Sequence, residues 1–387
     1  MDVVKKRERQ FETFIIAFSF VVFVSLQGLC FSYAASAPPS AEWSRTVEAA
    51  SKEGQVNVYM YATWGQAIQS ANVFQKAFPN IGLSVVTGSV TDLSQRILAE
   101  RRANKYLADV IVIGVNVSRA LLKNNMLDPV KSGLILPEVT DESKWWQGKH
   151  LYADPDDQYI FKFSGIPQYG SISYNTKLVK ENEFKSIWDF VNPKWKGKIT
   201  ARDVTRPGPG NGAMRFFYNS PKIGPEFIKR LFGQMDIALF RDGRVGADWL
   251  ANGRYAICFF CSSDSYKAAS QGLPVADFGP MKEGGGLVSG YGALVMPKSA
   301  PHSNAAKVFV NWFLSREGQL TLQKALTSAH EEAPDSLRID IPKDDIPVVN
   351  RRQENIEYMD LDSREEWMRR DGYLKLVKSA IAKNPKE

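Results

Sequence analysis

Short apolar runs and helical-period stretches alternate along the first part of the chain. Val56–Tyr61 (VNVYMY), Leu83–Thr87 (LSVVT) and Asp109–Val115 (DVIVIGV) are rich in β-branched residues and predict strands. Glu42–Glu53 predicts a helix stopped by Gly54, and Gln66–Ala77 a second, stopped by Phe78-Pro79-Asn80. After Gly88-Ser89-Val90-Thr91 a third places Leu93, Ile97 and Leu98 on one face and Arg96, Glu100 and Arg101 on another. Regular strand–helix–strand spacing predicts a doubly wound α/β domain. Ligands of such sheets bind beyond the carboxyl ends of the strands. Those ends are Thr63-Trp64, Gly88-Ser89 and Gly114-Val115-Asn116. Trp64 reads equally as a core aromatic or as a ring exposed at the sheet edge.

The pattern changes after Lys144–Gln158, a polar stretch holding Trp145-Trp146. Phe161–Tyr174 alternates, interrupted by Gly165, Pro167 and Gly170, and reads as a first crossing into another domain. Ser186 caps a short helix, Ile187–Phe190, that runs into Asn192–Met214. There a turn leads to a strand, Lys198–Ala201, then to Pro207-Gly208-Pro209-Gly210 and to Asn211 as candidate N-cap of a new helix. A strand end feeding a helix start offers free N–H groups and a positive dipole end, which suits an anionic or polar ligand group. Further on, Glu226–Gly233 and Arg244–Ala251 predict helices, Tyr255–Phe260 a buried strand, and Ser262-Ser263-Asp264 a cap. Gly284-Gly285-Gly286 precedes Leu287–Met296, a strand that returns the chain to the first domain. Ser303 caps Asn304–Leu314, whose buried face is Val308, Phe309, Trp312 and Phe313; a helix starting at Ser315 follows, and a charged helix over 362–383 ends the chain. Repeated crossing between two α/β domains predicts a hinged pair with a cleft.

Composition agrees with this organisation. At 387 residues, 44% hydrophobic and 24% charged, the chain is globular and large enough for two domains. Residues 1–37 have the anatomy of a secretory signal peptide. Lys5, Lys6, Arg7 and Arg9 precede an uncharged core, Phe14–Leu26, and then small residues, with cleavage expected after Ala34 or Ala37. A retained membrane anchor is the alternative; the polar second half of the stretch opposes it. Cys30 follows Gln27-Gly28-Leu29, a poor lipidation context. The four basic and three acidic residues of 1–37 leave about +6 from the chain's +7. That excess is scattered in pairs such as Arg101-Arg102 and Arg351-Arg352, which argues against a nucleic-acid partner and suits an anionic solute.

Cys258-Phe259-Phe260-Cys261 offers a disulfide if the segment turns; in a straight strand the two side chains would face opposite sides. Redox catalysis is the alternative, and two thiols alone do not make a zinc site. His150, His302 and His330 lie far apart and suggest no metal box. None sits beside a serine in a G-x-S-x-G context, so a secreted hydrolase has little support. No cofactor or metal is expected.

Several segments in order resemble the periplasmic solute-binding proteins of ABC importers, in the group of ferric-iron, spermidine/putrescine and thiamine binders. Ile187–Phe190 with Pro193–Ile199 is similar to its W-x-D-L-x-x-P-K-W-K-G-K signature. Asn304–Phe309 with Leu314–Gln319 is similar to its N-A-A-K-x-F…L-S-x-E-G-Q helix pair, and Trp249–Ala256 to its L-A-x-G-E turn. The resemblance implies a type II periplasmic-binding-protein fold: two hinged lobes, each a mostly parallel sheet flanked by helices. It implies lobes at 43–165 plus 288–345 and at 166–287 plus 346–387. It implies a periplasmic monomer that closes on a small solute and docks to a membrane permease and its ATPase. The expected pocket is Trp64, Ser89, Tyr169, Arg206, Asn211, Phe260, Ser262 and Tyr291, with aromatic walls and charge from Arg206 and the helix start at Asn211. Iron-binding members place a tyrosine pair where this chain has Phe259 and Phe260, so an organic solute is favoured. The ferric alternative would use Tyr169, Tyr266 or Tyr291.

Overall fold

Alternation in Gln55–Tyr61 (β1) sends Val56, Val58 and Met60 to one face of a sheet and Tyr59 to the other, and all four are buried. A strand covered on both faces needs helices on both sides. The computed structural model, which describes residues 40–382 except 207, 209, 330 and 332, supplies them. The expected leader over 1–37, Cys30, His330 and the last residue of the expected tail helix, Lys383, lie outside the described residues.

In chain order, α1 (Ala41–Glu53) leads to β1, α2 (Ala62–Ala71), α3 (Val73–Ala77), β2 (Gly82–Gly88), α4 (Val90–Arg102), β3 (Val110–Ile113) and α5 (Val115–Lys123). Next come the short strands β4 (Leu127–Asp128), β5 (Leu151–Tyr152), β6 (Phe161–Lys162), β7 (Ile166–Gln168) and β8 (Ile172–Asn175). Then follow β9 (Ile199–Arg202), α6 (Asn211–Asn219), α7 (Gly224–Gln234), β10 (Ala238–Phe240), α8 (Gly243–Ala251), β11 (Ile257–Phe259), α9 (Ser262–Ser270) and β12 (Val275–Asp277). The chain finishes with β13 (Gly285–Val288), β14 (Ala293–Pro297), α10 (Ser303–Leu314), α11 (Arg316–Ser328), β15 (Tyr358–Asp360) and α12 (Asp371–Ala382).

Three sheets result. The first runs β2-β1-β3-β14-β6-β5 with β4 beside β14; the second runs β10-β9-β11-β8-β12; the third, of three strands, runs β15-β13-β7. Strands joined through helices pair in parallel: β2 and β3 with β1, β10 and β11 with β9. The strand that arrives from the other lobe joins antiparallel, β14 against β3 and β8 against β11. The third sheet collects the three passages of the chain between the lobes. Each lobe has its own apolar core. Val58, Val112, Phe309 and Phe313 belong to one face of the first sheet and Leu93, Ile97 and Leu121 to the other; Ile199, Phe217, Phe259 and Tyr373 form the core of the second lobe.

The structure departs from the sequence expectations at several boundaries. The second helix starts at Ala62 and breaks at Asn72, whose φ of 54° ends one helix and opens the next, so Trp64 is helical and buried. Leu287–Met296 is two strands, because Gly290 turns the chain at φ +59°. Helix α10 begins at Ser303, and the Glu53 carboxylate caps it by accepting the N–H groups of Asn304 (3.2 Å) and Ala305 (2.7 Å). The tail is helical only from Asp371; before it lies a non-helical run with a single turn at Glu365–Met368.

Cys258 and Cys261 are joined by a disulfide with a Cα–Cα distance of 6.0 Å. The strand ends at Phe259, and Phe260 takes φ +65°, which swings Cys261 back to the face where Cys258 lies. Both sulfurs are buried, against Phe240, Leu250 and Val275, so this is a structural bridge and the redox reading falls.

Candidate functional site

A cavity of about 400 Å³ opens where both lobes and the three-stranded sheet meet. Its walls come from the start of α4 (Val90), the β3–α5 turn (Gly114–Val117), Gln168 of β7, residues 208 and 210–212, Arg215 of α6, the β13–β14 turn (Val288, Gly290, Tyr291), Asp362 and Met368.

Two of these walls are helix starts with no side-chain cap. Helix α5 follows Gly114 and α6 follows Gly210. Ser40, Ser89, Asp242 and Ser315 each cap their helices through a side-chain oxygen, whereas α2, α3, α7 and α9, away from this cavity, also start without a side-chain cap. The first N–H groups of a helix lack partners within the helix, so an uncapped start leaves donors open unless a nearby carbonyl takes them; here Val117 N–H donates to the Gly114 carbonyl (3.1 Å) and Asn211 N–H to the Gly208 carbonyl (3.3 Å). One of the two starts comes from each lobe, and both positive dipole ends meet at one cavity. Gly114 sits against the Gly290 carbonyl, where an added Cβ would stand 3.3 Å away. Gly210 holds φ +91°, and an added Cβ would fall 2.7 Å from the Phe260 ring, so the loop can approach its floor only as glycine.

One aromatic ring, Tyr291, lines another side, backed by two more. Tyr291 stacks on Tyr61 with centroids 3.8 Å apart and meets Trp64 edge-on at 5.9 Å. Burial, then the neighbouring Tyr61, pushes the Tyr291 hydroxyl above the usual phenol range. The charged pair is Arg215 and Asp362. Arg215 donates from Nη2 to an Asp362 carboxylate oxygen at 2.9 Å and from Nε to the Trp367 carbonyl at 2.8 Å. The other Asp362 oxygen accepts the Ser289 N–H at 2.7 Å.

The eight residues expected from sequence fall into distinct places. Asn211 and Tyr291 line the cavity. Asn211 is the first helical residue; Gly210 takes the N-cap position, and the Asn211 side-chain oxygen accepts from Arg370 (2.7 Å) and Tyr373 (2.6 Å). Ser89 caps α4 through the Asp92 N–H at 3.2 Å, one residue before Val90 reaches the cavity wall. Trp64 lies behind Tyr291, and Phe260 lies beneath Gly210; both are buried. Tyr169 is hinge packing: its hydroxyl bonds that of Tyr358, and burial followed by that bond pushes it far above the usual phenol range. Arg206 is exposed and outside the cavity wall. Ser262 opens α9, with Cys261 at the N-cap position, and its side chain lies outside the described residues.

Sequence reasoning missed Arg215, Gln168, Asp362 and Met368. Arg215 sits one turn inside a helix whose start was expected, so its helical spacing from Asn211 was the available signal. Nothing local in sequence marked Asp362 or Met368, which come from the far end of the chain. The ferric alternative gains no supporting contact: Tyr266 is exposed, and Tyr169 and Tyr291 engage different partners. Among the described residues, no group of three His, Cys, Asp or Glu side chains is placed to hold a metal ion.

The chain matches the bacterial extracellular solute-binding protein family over residues 69–335. No curated protein matches it. Among solved structures it resembles an ABC transporter protein from Clostridium perfringens, with a TM-score of 0.60, 14% identity, and coverage of 84% of this chain and 99% of that one. It resembles the Trichodesmium protein IdiA (FutA), solved with iron and citrate, at TM-score 0.56 and 19% identity, covering 85% and 98%. It also resembles the periplasmic binding protein AfuA of Actinobacillus pleuropneumoniae, solved with fructose-6-phosphate, at TM-score 0.53 and 18% identity, covering 85% and 98%. Likeness at such identities speaks for the fold. With the match spanning most of the folded chain and a cavity set between two α/β lobes, this chain belongs to the bacterial extracellular solute-binding protein family.

Proposed function

We propose that the chain is the periplasmic solute-binding component of an ABC importer, closing its lobes on a small anionic or polar organic solute and delivering it to a membrane permease. The carrying observation is the meeting of two uncapped helix starts, one from each lobe, at a single cavity. An anionic group placed between them would accept N–H donors from both sides, so its binding favours the lobes together. Tyr291, held in place by its stack on Tyr61, offers an aromatic surface for the solute's carbon skeleton. The bodies proposed to move are 43–165 with 288–345 and 166–287 with 346–387, about the three-stranded sheet. Residues 1–37 are proposed as the export leader; among the described residues no helix is long and apolar enough to cross a membrane.

Thermal melting with matched probes tests this. Fructose 6-phosphate and citrate should raise the melting temperature where fructose and glycerol do not. Stabilisation by the neutral members alone would reject the anionic reading, and silence across a broad panel of carboxylates, phosphates and neutral solutes would reject solute binding. Adding ferric citrate serves as a control, since tyrosinate ligation would colour the protein.

A further inference from the structure

Residues 361–370 follow the last passage between the lobes and precede the final helix. They lie beyond the matched family region, and both lobes grip them. From the first lobe, Arg119 of α5 donates from Nη2 to the Asp362 carbonyl at 2.7 Å. Its Nη1 reaches Met368 Sδ at 2.7 Å, and its Nε anchors on the Ala153 carbonyl at 2.8 Å. Lys123, one turn further along α5, pairs with Glu365 at 2.6 Å. From the second lobe, Arg215 of α6 holds the Asp362 carboxylate and the Leu361 and Trp367 carbonyls. Arg370 reaches back to Asn211 at 2.7 Å and to the Val204 carbonyl at 3.3 Å.

We propose that residues 361–370 are an interlobe strap, in which Arg119 and Arg215, one from each lobe, clamp Asp362 and so hold the cleft closed. The clamp is built of charge-assisted bonds at a largely buried residue: Asp362 is 3% exposed. Separating α5 from α6 must break at least one arm of it. Asp362 and Met368 also line the cavity, so a ligand presses on the same element that ties the lobes. The strap therefore biases the open–closed equilibrium before ligand arrives, and a closed-state bias raises apparent affinity in proportion to the competent population. Arg119 is a positioning residue in this scheme, since it lies outside the cavity wall. The strap itself rests on the hinged fold; its effect on affinity rests on the solute reading above.

The test is small-angle scattering of ligand-free protein, followed by titration with citrate and inorganic phosphate as probes. R119A is expected to show a larger radius of gyration than wild type and to bind the probe about tenfold more weakly. Its ligand-saturated scattering should equal that of wild type. R119K, which keeps the charge but loses the forked geometry, should fall between. K123A alters an exposed pair at no risk to folding and should shift the radius in the same direction by less, which covers the case of an unfolded R119A. Unchanged ligand-free scattering in folded R119A, or in K123A if R119A does not fold, overturns the strap. An opened R119A in a protein that no anionic probe stabilises keeps the strap and removes the solute reading. Anionic probes that stabilise wild type with no opening in R119A do the reverse.

Discussion

At the scale of single residues, the molecule places charge where water is scarce and then answers it locally. Asp109 is fully buried, yet its oxygens accept the N–H groups of Asn57 (2.7 Å) and His302 (2.8 Å) and face His302 Nδ1 at 2.9 Å. Asp277 on β12 is less well served. Ser173 Oγ donates to it, but burial dominates and pushes its carboxyl up to about 6. A carboxyl whose folded value is raised binds its proton more tightly in the folded state. Its cost is therefore absent below the ordinary carboxyl value and grows as pH rises to about 6, then stays constant. D277N, which keeps an acceptor for Ser173, should match wild type near pH 4 and exceed it by about 2 kcal/mol at pH 8. Denaturant unfolding across that range checks this; a difference independent of pH would remove burial of the charge as the cause.

At the scale of elements, the parts are pinned by a few long-reach polar groups as well as by apolar faces. Helix α10 shows both. Phe309 stacks on Phe313 with centroids 5.7 Å apart, within a core that also holds Phe74 and Trp312. On another side of the same helix stands Asn311, fully buried. Its side-chain oxygen accepts the Ile135 and Leu136 N–H groups, both at 2.8 Å, and its amide donates to the Gly133 carbonyl at 2.7 Å. These bonds fasten the 133–136 connection to the helix, and no other group could follow if the asparagine were lost. N311A should cost about 2–4 kcal/mol, because it strands buried backbone donors and leaves a void. At pH 4, where its buried carboxyl is protonated and can still donate to a facing carbonyl, N311D should leave the two N–H bonds intact and cost less. Equal losses in chemical denaturation would show that the acceptor is not what pins the connection.

At the scale of the whole molecule, two separately cored lobes share a three-stranded sheet, and the cavity lies beside it. Short strands in the third sheet, of three or four residues, offer little resistance to bending. A ligand that joins the two helix starts should therefore act on the entire fold. At a hundredfold excess over its Kd it adds about 2.7 kcal/mol to stability, and in R119A, where the proposed strap no longer holds the lobes, scattering should show a smaller radius of gyration in the bound state. Stabilisation with no change in radius would place the ligand on one lobe alone. The anionic character carries its own check, since competing sulfate should weaken binding more than chloride at equal ionic strength.

The sequence by itself determined the periodicities and, through them, the elements. Strand runs rich in valine and isoleucine, the capped short helix at Ser186, the glycine loop before Asn211 and the Asn304–Leu314 face were legible because they depend on neighbours within one or two turns. Motifs spread along the chain carried the family. Tertiary structure decided what chain distance hides. Tyr169 belongs to the hinge because Tyr358 lies opposite it, and Trp64 is buried because helix α2 starts four residues earlier than its polar residues suggested. Asn211 gave its oxygen to Arg370 and Tyr373, residues 159 and 162 positions further along the chain. Arg215 meets Asp362 only after the chain has passed three times between the lobes. Local pattern fixes conformation residue by residue, whereas a binding cleft is made of surfaces brought together by folding, and their pairing is a property of the assembled sheets and not of any one stretch.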